Sequence, residues 1–435
     1  NIGNSVGSDI VQDGVIYFPD DYLAAAIRKV LGLSENADIP ISMLHTIESL
    51  DLKDCYITDV SGLEYCSALK HLELQGNAVS DITPLINIAS LEYIDLRSNN
   101  VEVITGINKL TNLKKLKLGS NYINDISDLS NMTIVELDVS NNRIHSIESL
   151  TSAIFLEDLD ISNNEISDLS PLSVLEGLKV LRCADNSISD ISALSGIELY
   201  LLDISNNNIS DISVINAGSL LSLYAGGNNI SDISCMKDWT ELTKLDLHEN
   251  NITDTSGLVS GKELLELNVS HNSISSVESL ENILKLEKID LSYTNVNDLT
   301  KLSGAVLLDT INLENVYLND WSFLSAFDNL HTLNLSESNV HSCDIEQVNL
   351  KAIRRFDISG CDISEVDFSD FGPYIEYIDI SNTQIEDIGS IITLSGLMTL
   401  NVSRIPALNN FETEAVLSRL EGHVDVIRTS PTPVM

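Results

Sequence analysis

Apolar residues recur along this chain on a fixed frame. The segments LKHLELQGNAV (69–79), LEYIDLRSNNV (91–101), LKKLKLGSNYI (113–123), LEDLDISNNEI (156–166) and LTKLDLHENNI (242–252) all read LxxLxLxxNxI. The first apolar position falls at Ile47, Leu69, Leu91, Leu113, Ile134, Leu156, Leu178, Leu199, Leu220, Leu242, Leu264, Leu286, Leu308, Leu330, Ile353, Ile375 and Leu397, a period of 22 residues with rare 21s and one 23. A chain built from one short repeated unit lengthens without thickening its core, so 435 residues do not imply two or three globular domains.

Within each unit the LxL core alternates apolar and polar with period two. This predicts a strand whose leucines point inward and whose intervening residues point out. About eleven residues remain to turn, run back and turn again, enough for a short 3-10 segment but not for a full helix with two loops. Eleven connectors place an Asp two residues after their last apolar position: Asp59, Asp81, Asp125, Asp168, Asp190, Asp211, Asp232, Asp254, Asp298, Asp320 and Asp387. A carboxylate there is expected to accept from the exposed amides of the return segment. The Asn column (Asn77, Asn99, Asn121, Asn142, Asn164, Asn186, Asn207, Asn228, Asn250 and Asn272) stands where the chain leaves the strand, and its amides are expected to satisfy backbone groups left unpaired by the turn. After residue 290 the column decays to Thr294, Val316, Ser338, Cys361 and Thr383, which predicts a less regular last third.

The expected architecture is an α/β, right-handed, curved solenoid of about seventeen coils, with a parallel sheet on the concave side and 3-10 or irregular returns on the convex side. Such a stack needs lids over its open core. FPDDYLAAAIRKVLGL (18–33) predicts a helical cap, with Leu23, Ile27 and Val30 on one face and Gly32 as its stop. NNFETEAVLSRLEGH (409–423) predicts a second helix, and VDVI (424–427) a final edge strand. The resulting division is a flexible segment over 1–16, a helical cap over 17–46, the solenoid over 47–408, a cap helix and edge strand over 409–428 and a flexible tail over 429–435.

The net charge of −41, from 24 basic and 65 acidic residues, opposes nucleic acid and anionic membranes as partners and leaves basic partners open. No run approaches the roughly 20 apolar residues of a membrane span, so no membrane insertion is expected. Asn1 in place of Met leads to the expectation of a processed or trimmed start. The six cysteines, Cys55, Cys66, Cys183, Cys235, Cys343 and Cys361, lack the spacing of a disulfide framework or a zinc site, and most are expected as buried, unbridged thiols in apolar slots of the repeat.

The connector N-x-I-x-D-I-x-P-L, seen in NAVSDITPL (77–85) and NEISDLSPL (164–172), resembles the internalin-type leucine-rich repeats of bacterial surface proteins, and FPDDYLAAAIRKVLGL resembles the helical cap of that family. The resemblance covers residues 17–410. It implies an extracellular or cell-surface protein that binds another protein through exposed strand residues. The alternative is a cytoplasmic scaffold or regulatory subunit of a signalling enzyme such as a phosphatase, like other proteins with 22-residue repeats.

Catalytic chemistry is not visible. No GxxxxGK[ST], GxGxxG, HExxH or GxSxG pattern occurs in the required context, and the eight histidines form no cluster. A non-enzymatic protein without metal or cofactor is expected. Function is sought instead in the exposed strand column, where ten of seventeen central positions are acidic. Tyr93, Arg97, Lys115, Lys117, Arg182 and Tyr224 interrupt that stripe, and Tyr and Arg are enriched at interface hot spots. The expected partner-binding set is therefore Tyr93, Asp95, Arg97, Lys115, Lys117, Asp138, Asp160, Arg182, Asp203, Tyr224, Asp246 and His248, engaged by a protein ligand, with a basic one left open, on a monomeric chain.

Overall fold

The computed structural model describes residues 10–428, and the expected flexible segments over 1–9 and 429–435 lie outside them. The described residues form two units: 10–209 with 214–219, and 210–213 with 220–428. Each is a stack of strand and return, in the fold class expected from the repeat.

The N-terminal unit begins with structure where flexibility was expected. Val11–Gln12 and Val15–Ile16 form an antiparallel hairpin, and Ile39–Pro40 pairs beside it. Its turn is Asp13-Gly14, with φ of 52° and 79°. Two central residues at positive φ define the tight turn that Asp-Gly favours, so the apolar residues around this dipeptide were a usable signal that repeat reading passed over. The helix Asp21–Val30 buries Leu23, Ala24 and Ile27, and Asp20 caps it by accepting from the Leu23 amide at 2.9 Å. The other Asp20 oxygen accepts from the Thr58 amide and hydroxyl at 2.8 and 3.0 Å, which ties the helix to the first coil. Burial opposes ionisation of Asp20, but these hydrogen bonds prevail and hold its carboxyl below the usual range.

Eight three-residue strands follow, from Ser49–Asp51 to Leu201–Asp203. They pair in parallel register, so that Leu50 faces Leu72 and Leu72 faces Ile94. The C-terminal unit holds ten more, from Ser222–Tyr224 to Asp425–Ile427, the last pairing with Thr399–Asn401 as the predicted edge strand. In every repeat strand except this last, the central residue is at most 3% exposed. Burying each such residue contributes about 1.5–3 kcal/mol, so the core of each unit is a column of these side chains. The helix Phe411–Leu420 begins at Asn410, whose side chain accepts from the Glu412 amide at 3.0 Å.

The returns are mostly short 3-10 segments such as Ser170–Val174 and Glu278–Asn282. All eleven Asp residues of the connectors accept from the amide two positions on, at 2.7–2.8 Å. They are local turn closures.

The Asn column is a ladder between coils. Asn99 Oδ1 accepts from the Val79 amide at 2.9 Å, and Nδ2 donates to Leu74 O at 2.9 Å and Leu96 O at 3.0 Å. Asn121 and Asn272 repeat this geometry. Past residue 290 Thr294 Oγ1 donates to Leu291 O and Thr383 Oγ1 to Ile380 O within their own coils, while Cys361 Sγ still reaches Leu335 O of the preceding coil at 3.0 Å. At Val316 the amide function passes to the next coil, where Asn339 accepts from the Leu318 amide at 3.0 Å and donates to Leu318 O at 2.9 Å.

All six cysteines are unbridged. The expectation that most are buried holds for Cys66, Cys183 and Cys361, whereas Cys55 and Cys235 are half-buried and Cys343 is exposed. Cys343 lies in a short helix, Ser342–Ile345, that precedes the 3-10 segment Leu350–Ala352 of its return. Burial pushes the Cys66 thiol up to about 12.

Candidate binding surface on the strand faces

Because the central residue of each strand points into the core, the first and third residues stand in two parallel rows on the open face. Neighbouring rungs are about 4.8 Å apart. The third row has a local role that its sequence did not announce. At thirteen of seventeen coils it is Asp or Asn, and each accepts a hydrogen bond from the amide two residues on, as Asp138 does from Ser140 at 3.0 Å and Asn334 from Ser336 at 2.9 Å. The acidic stripe is thus largely a column of turn closures. Glu73, Lys117, Arg182 and Tyr224 are the four departures.

Of the twelve residues expected to bind a partner, nine lie on the N-terminal unit. Their cations are already engaged. Arg97 grips Asp95 through Nε at 3.1 Å and Nη2 at 2.6 Å, and Asp95 is only 1% exposed. Burial opposes the Asp95 charge, yet the guanidinium and the Arg97 amide hold its carboxyl below the usual range. Tyr93 donates weakly to Asp95 at 3.5 Å and stacks on His71 with ring centres 4.1 Å apart. Lys115 and Lys117 converge on Glu136 at 2.6 and 2.9 Å, and Arg182 reaches Asp158 at 3.0 Å. Asp138, Asp160 and Asp203 close their turns; burial, with the neighbouring charge of Asp138, raises the Asp160 carboxyl.

The other three lie on the C-terminal unit. Asp246 accepts from His248 Nδ1 at 2.6 Å and from Asn268 Nδ2 at 3.3 Å. His248 lies flat across its neighbour only because residue 226 is glycine, for a Cβ there would fall 2.1 Å from the imidazole. Tyr224 and Asp246 line a depression of about 290 Å³ that continues over Lys244, Glu266, Lys288 and Asp290. A second, of about 340 Å³, shares Asp290, Thr310 and Asn312 and runs on to Arg355, Asp357 and Tyr377.

Sequence reasoning missed Glu136, Asp158, Lys244, Glu266, Lys288, Arg355 and Tyr377, all in the first row. Lys244, Glu266 and Lys288 follow one another at 22-residue spacing, and Glu266 Oε1 receives both lysines, at 3.2 and 3.3 Å. That alternation was legible once the first row was read as carefully as the third. Arg355 lies over the Tyr377 ring at 4.6 Å, and burial with the adjacent Asp379 carboxylate pushes the Tyr377 hydroxyl up to about 12. Among the described residues no group of three His, Cys, Asp or Glu is placed to hold a metal, and no helix is long and apolar enough to cross a membrane.

The family model for leucine-rich repeats matches residues 89–131 and 133–174. A search of curated sequences returned no significant match. The internalin InlF of Listeria monocytogenes is similar in structure, with 29% identity, a TM-score of 0.71 and coverage of 73% of this chain and 96% of that one. A leucine-rich-repeat protein of Leptospira interrogans is similar at 19% identity and TM-score 0.66, over 89% of this chain and 97% of that one. The plant peptide hormone receptor RGFR1, solved in complex with RGF2, shares the fold at 18% identity and TM-score 0.51, over 82% and 74%. The chain is an internalin-like leucine-rich-repeat protein.

Proposed function

We propose that this chain is a non-enzymatic binding protein of a bacterial surface or extracellular setting that holds a protein ligand against the open strand rows. The observation that carries this reading is the pair of adjoining depressions between Tyr224 and Tyr377. Their lining combines aromatic rings with lysine, arginine and aspartate on a backbone fixed by in-register pairing. Side chains ordered on folding cost a partner little further entropy, so affinity concentrates in a few anchors. Tyr224 is the foremost anchor, since it gives up the turn closure that Asp or Asn supplies at most other coils. The strand rows of the N-terminal unit, with Tyr93, Lys115, Lys117 and Arg182, form a second surface that is largely self-neutralised. It therefore suits charge recognition at its rim more than deep burial.

The reading is tested with the full chain immobilised and exposed to solubilised host-cell surface protein. A captured ligand is then titrated against Tyr224→Ala, Asp246→Asn and the return-side control Glu278→Gln. Loss of at least tenfold in affinity with the first variant and none with the control supports it. Normal binding by both strand-face variants, with loss in the return-side control, contradicts it.

A further inference from the structure

Just beyond each strand the backbone passes through the left-handed region, one residue before the ladder position. In the N-terminal unit this column reads Asp54, Gly76, Ser98, Ser120, Asn141, Asn163, Asp185 and Asn206, small or Asx residues that tolerate positive φ. In the C-terminal unit it holds Glu249, His271, Tyr293, Asn315 and Glu337 on five successive coils, at φ between 50° and 56°. Each is fixed to the next coil by its own amide: His271 to Ser292 O at 2.9 Å, Tyr293 to Glu314 O at 2.9 Å and Asn315 to Ser336 O at 2.8 Å.

The side chains make an aromatic shelf. The His271 and Tyr293 rings stack with centres 4.4 Å apart and planes 12° from parallel, and Tyr293 remains 39% exposed. The Tyr293 hydroxyl donates to Glu314 Oε1 at 2.8 Å. This hydrogen bond, together with the Glu314 and Glu337 charges, pushes the hydroxyl up to about 12, so the ring stays neutral and electron-rich. One face of Tyr293 lies against His271; Asn315, next in the column, donates to Glu337 Oε2 at 3.5 Å, and Asn334 Nδ2 donates to Glu314 Oε2 at 3.4 Å. Glu249, Glu314 and Glu337 surround the shelf, and none of the three takes part in an ion pair among the described residues. Elsewhere on this unit lysines and arginines pair with Glu263, Glu266, Glu281 and Glu376.

We propose that this edge is an arginine-recognition site, where a guanidinium of a basic polypeptide packs on the exposed part of the Tyr293 ring beside Glu314 and Glu337. A flat cation over a ring face gains from the ring quadrupole, and its N–H groups match carboxylates held beside the ring. A lysine ammonium satisfies the carboxylates but not the planar stack. The proposal rests on the strand-face reading of function and adds the chemistry of the partner.

The test uses the full chain with labelled hexa-arginine and hexa-lysine peptides of equal charge, titrated at about 0.15 M salt, where long-range attraction is screened beyond ~8 Å. Hexa-arginine is expected to bind more tightly. Tyr293→Ala is expected to weaken hexa-arginine about fivefold while leaving hexa-lysine within twofold. Tyr293→Phe, which keeps the ring, should retain hexa-arginine binding, and Glu314→Gln with Glu337→Gln should weaken both peptides. The control Glu278→Gln with Glu346→Gln removes the same charge elsewhere and should change neither. Wild-type affinity in a folded Tyr293→Ala variant overturns the site, as does an equal loss for the two peptides. If Tyr293→Ala binds hexa-arginine normally while Tyr224→Ala loses a captured protein ligand, the edge site falls and the strand-face function stands. The converse outcome removes the strand-face function and keeps the arginine site.

Discussion

The two units run the same repeat with different fidelity. In the N-terminal unit every coil from Asn77 to Asn207 carries the ladder amide, and the left-handed column holds only Gly, Ser, Asn and Asp. In the C-terminal unit the unbroken run of ladder Asn residues ends at Asn272, and the left-handed column admits Glu, His, Tyr and Arg. Left-handed backbone costs a bulky L-residue about 1–2 kcal/mol, so those side chains are retained against local stability. Of these departures from the repeat, Glu249, His271, Tyr293 and Glu337 fall on the coils whose strand faces hold the two depressions between Tyr224 and Tyr377. Such gathering is the pattern expected where function overrides local consistency.

The two units should differ most in the ladder. Asn99→Ala leaves the buried Val79 amide and the Leu74 and Leu96 carbonyls without their partner, a loss of roughly 2–3 kcal/mol. Thr294→Val removes one bond within a single coil and should cost less than about 1 kcal/mol. Chemical denaturation of both variants decides, and equal losses would show that the two ladders do the same work.

Next in size is the ion pair of Asp95. Because this carboxylate is 1% exposed and gripped by Arg97, Arg97→Ala leaves a buried charge unpaired and should destabilise by about 1–3 kcal/mol. The corresponding change at Arg355, which covers Tyr377, should cost under about 1 kcal/mol. Thermal unfolding of the two variants at one pH compares them.

Smaller again are the carboxyls raised by burial, Asp160 in one unit and Asp357 in the other. A raised carboxyl pKa opposes folding at neutral pH, and the penalty is relieved as pH falls through the raised value. Asp160→Asn and Asp357→Asn keep the turn acceptor and remove the charge. Each should therefore stabilise at pH 7, by less than about 1 kcal/mol, and lose that advantage below pH ~4. The return-side carboxyls Asp190, Asp232, Asp298 and Asp320 are lowered, by their turn hydrogen bonds. Their contribution is present above the unfolded carboxylate range and is lost as pH falls through the lowered values. Wild-type stability should thus decline only in strong acid. A decline already evident at pH 6 would point to other groups.

The spacing of the leucines made the coils, strands and Asn ladder legible, because an inward residue every second position and an amide at one fixed place have no other economical use in a 22-residue unit. Two things escaped. The Asp13-Gly14 hairpin lay outside the repeat, where length of periodicity could not help. The strand-face chemistry escaped because it depends on pairs in neighbouring coils: Lys115 and Lys117 read as free cations until Glu136, one coil on, is seen between them. The acidic stripe misled for the opposite reason, since Asp138 and its equivalents bond within their own turns and need no partner.

If the C-terminal unit keeps costly residues for binding, Tyr293→Gly separates that role from a structural one. Glycine removes left-handed strain of about 1–2 kcal/mol and adds an unfolded-state entropy cost of about 0.5–1 kcal/mol. Tm should be unchanged or higher while hexa-arginine affinity falls about fivefold. A lower Tm with undiminished affinity would show that Tyr293 serves the fold and not a ligand.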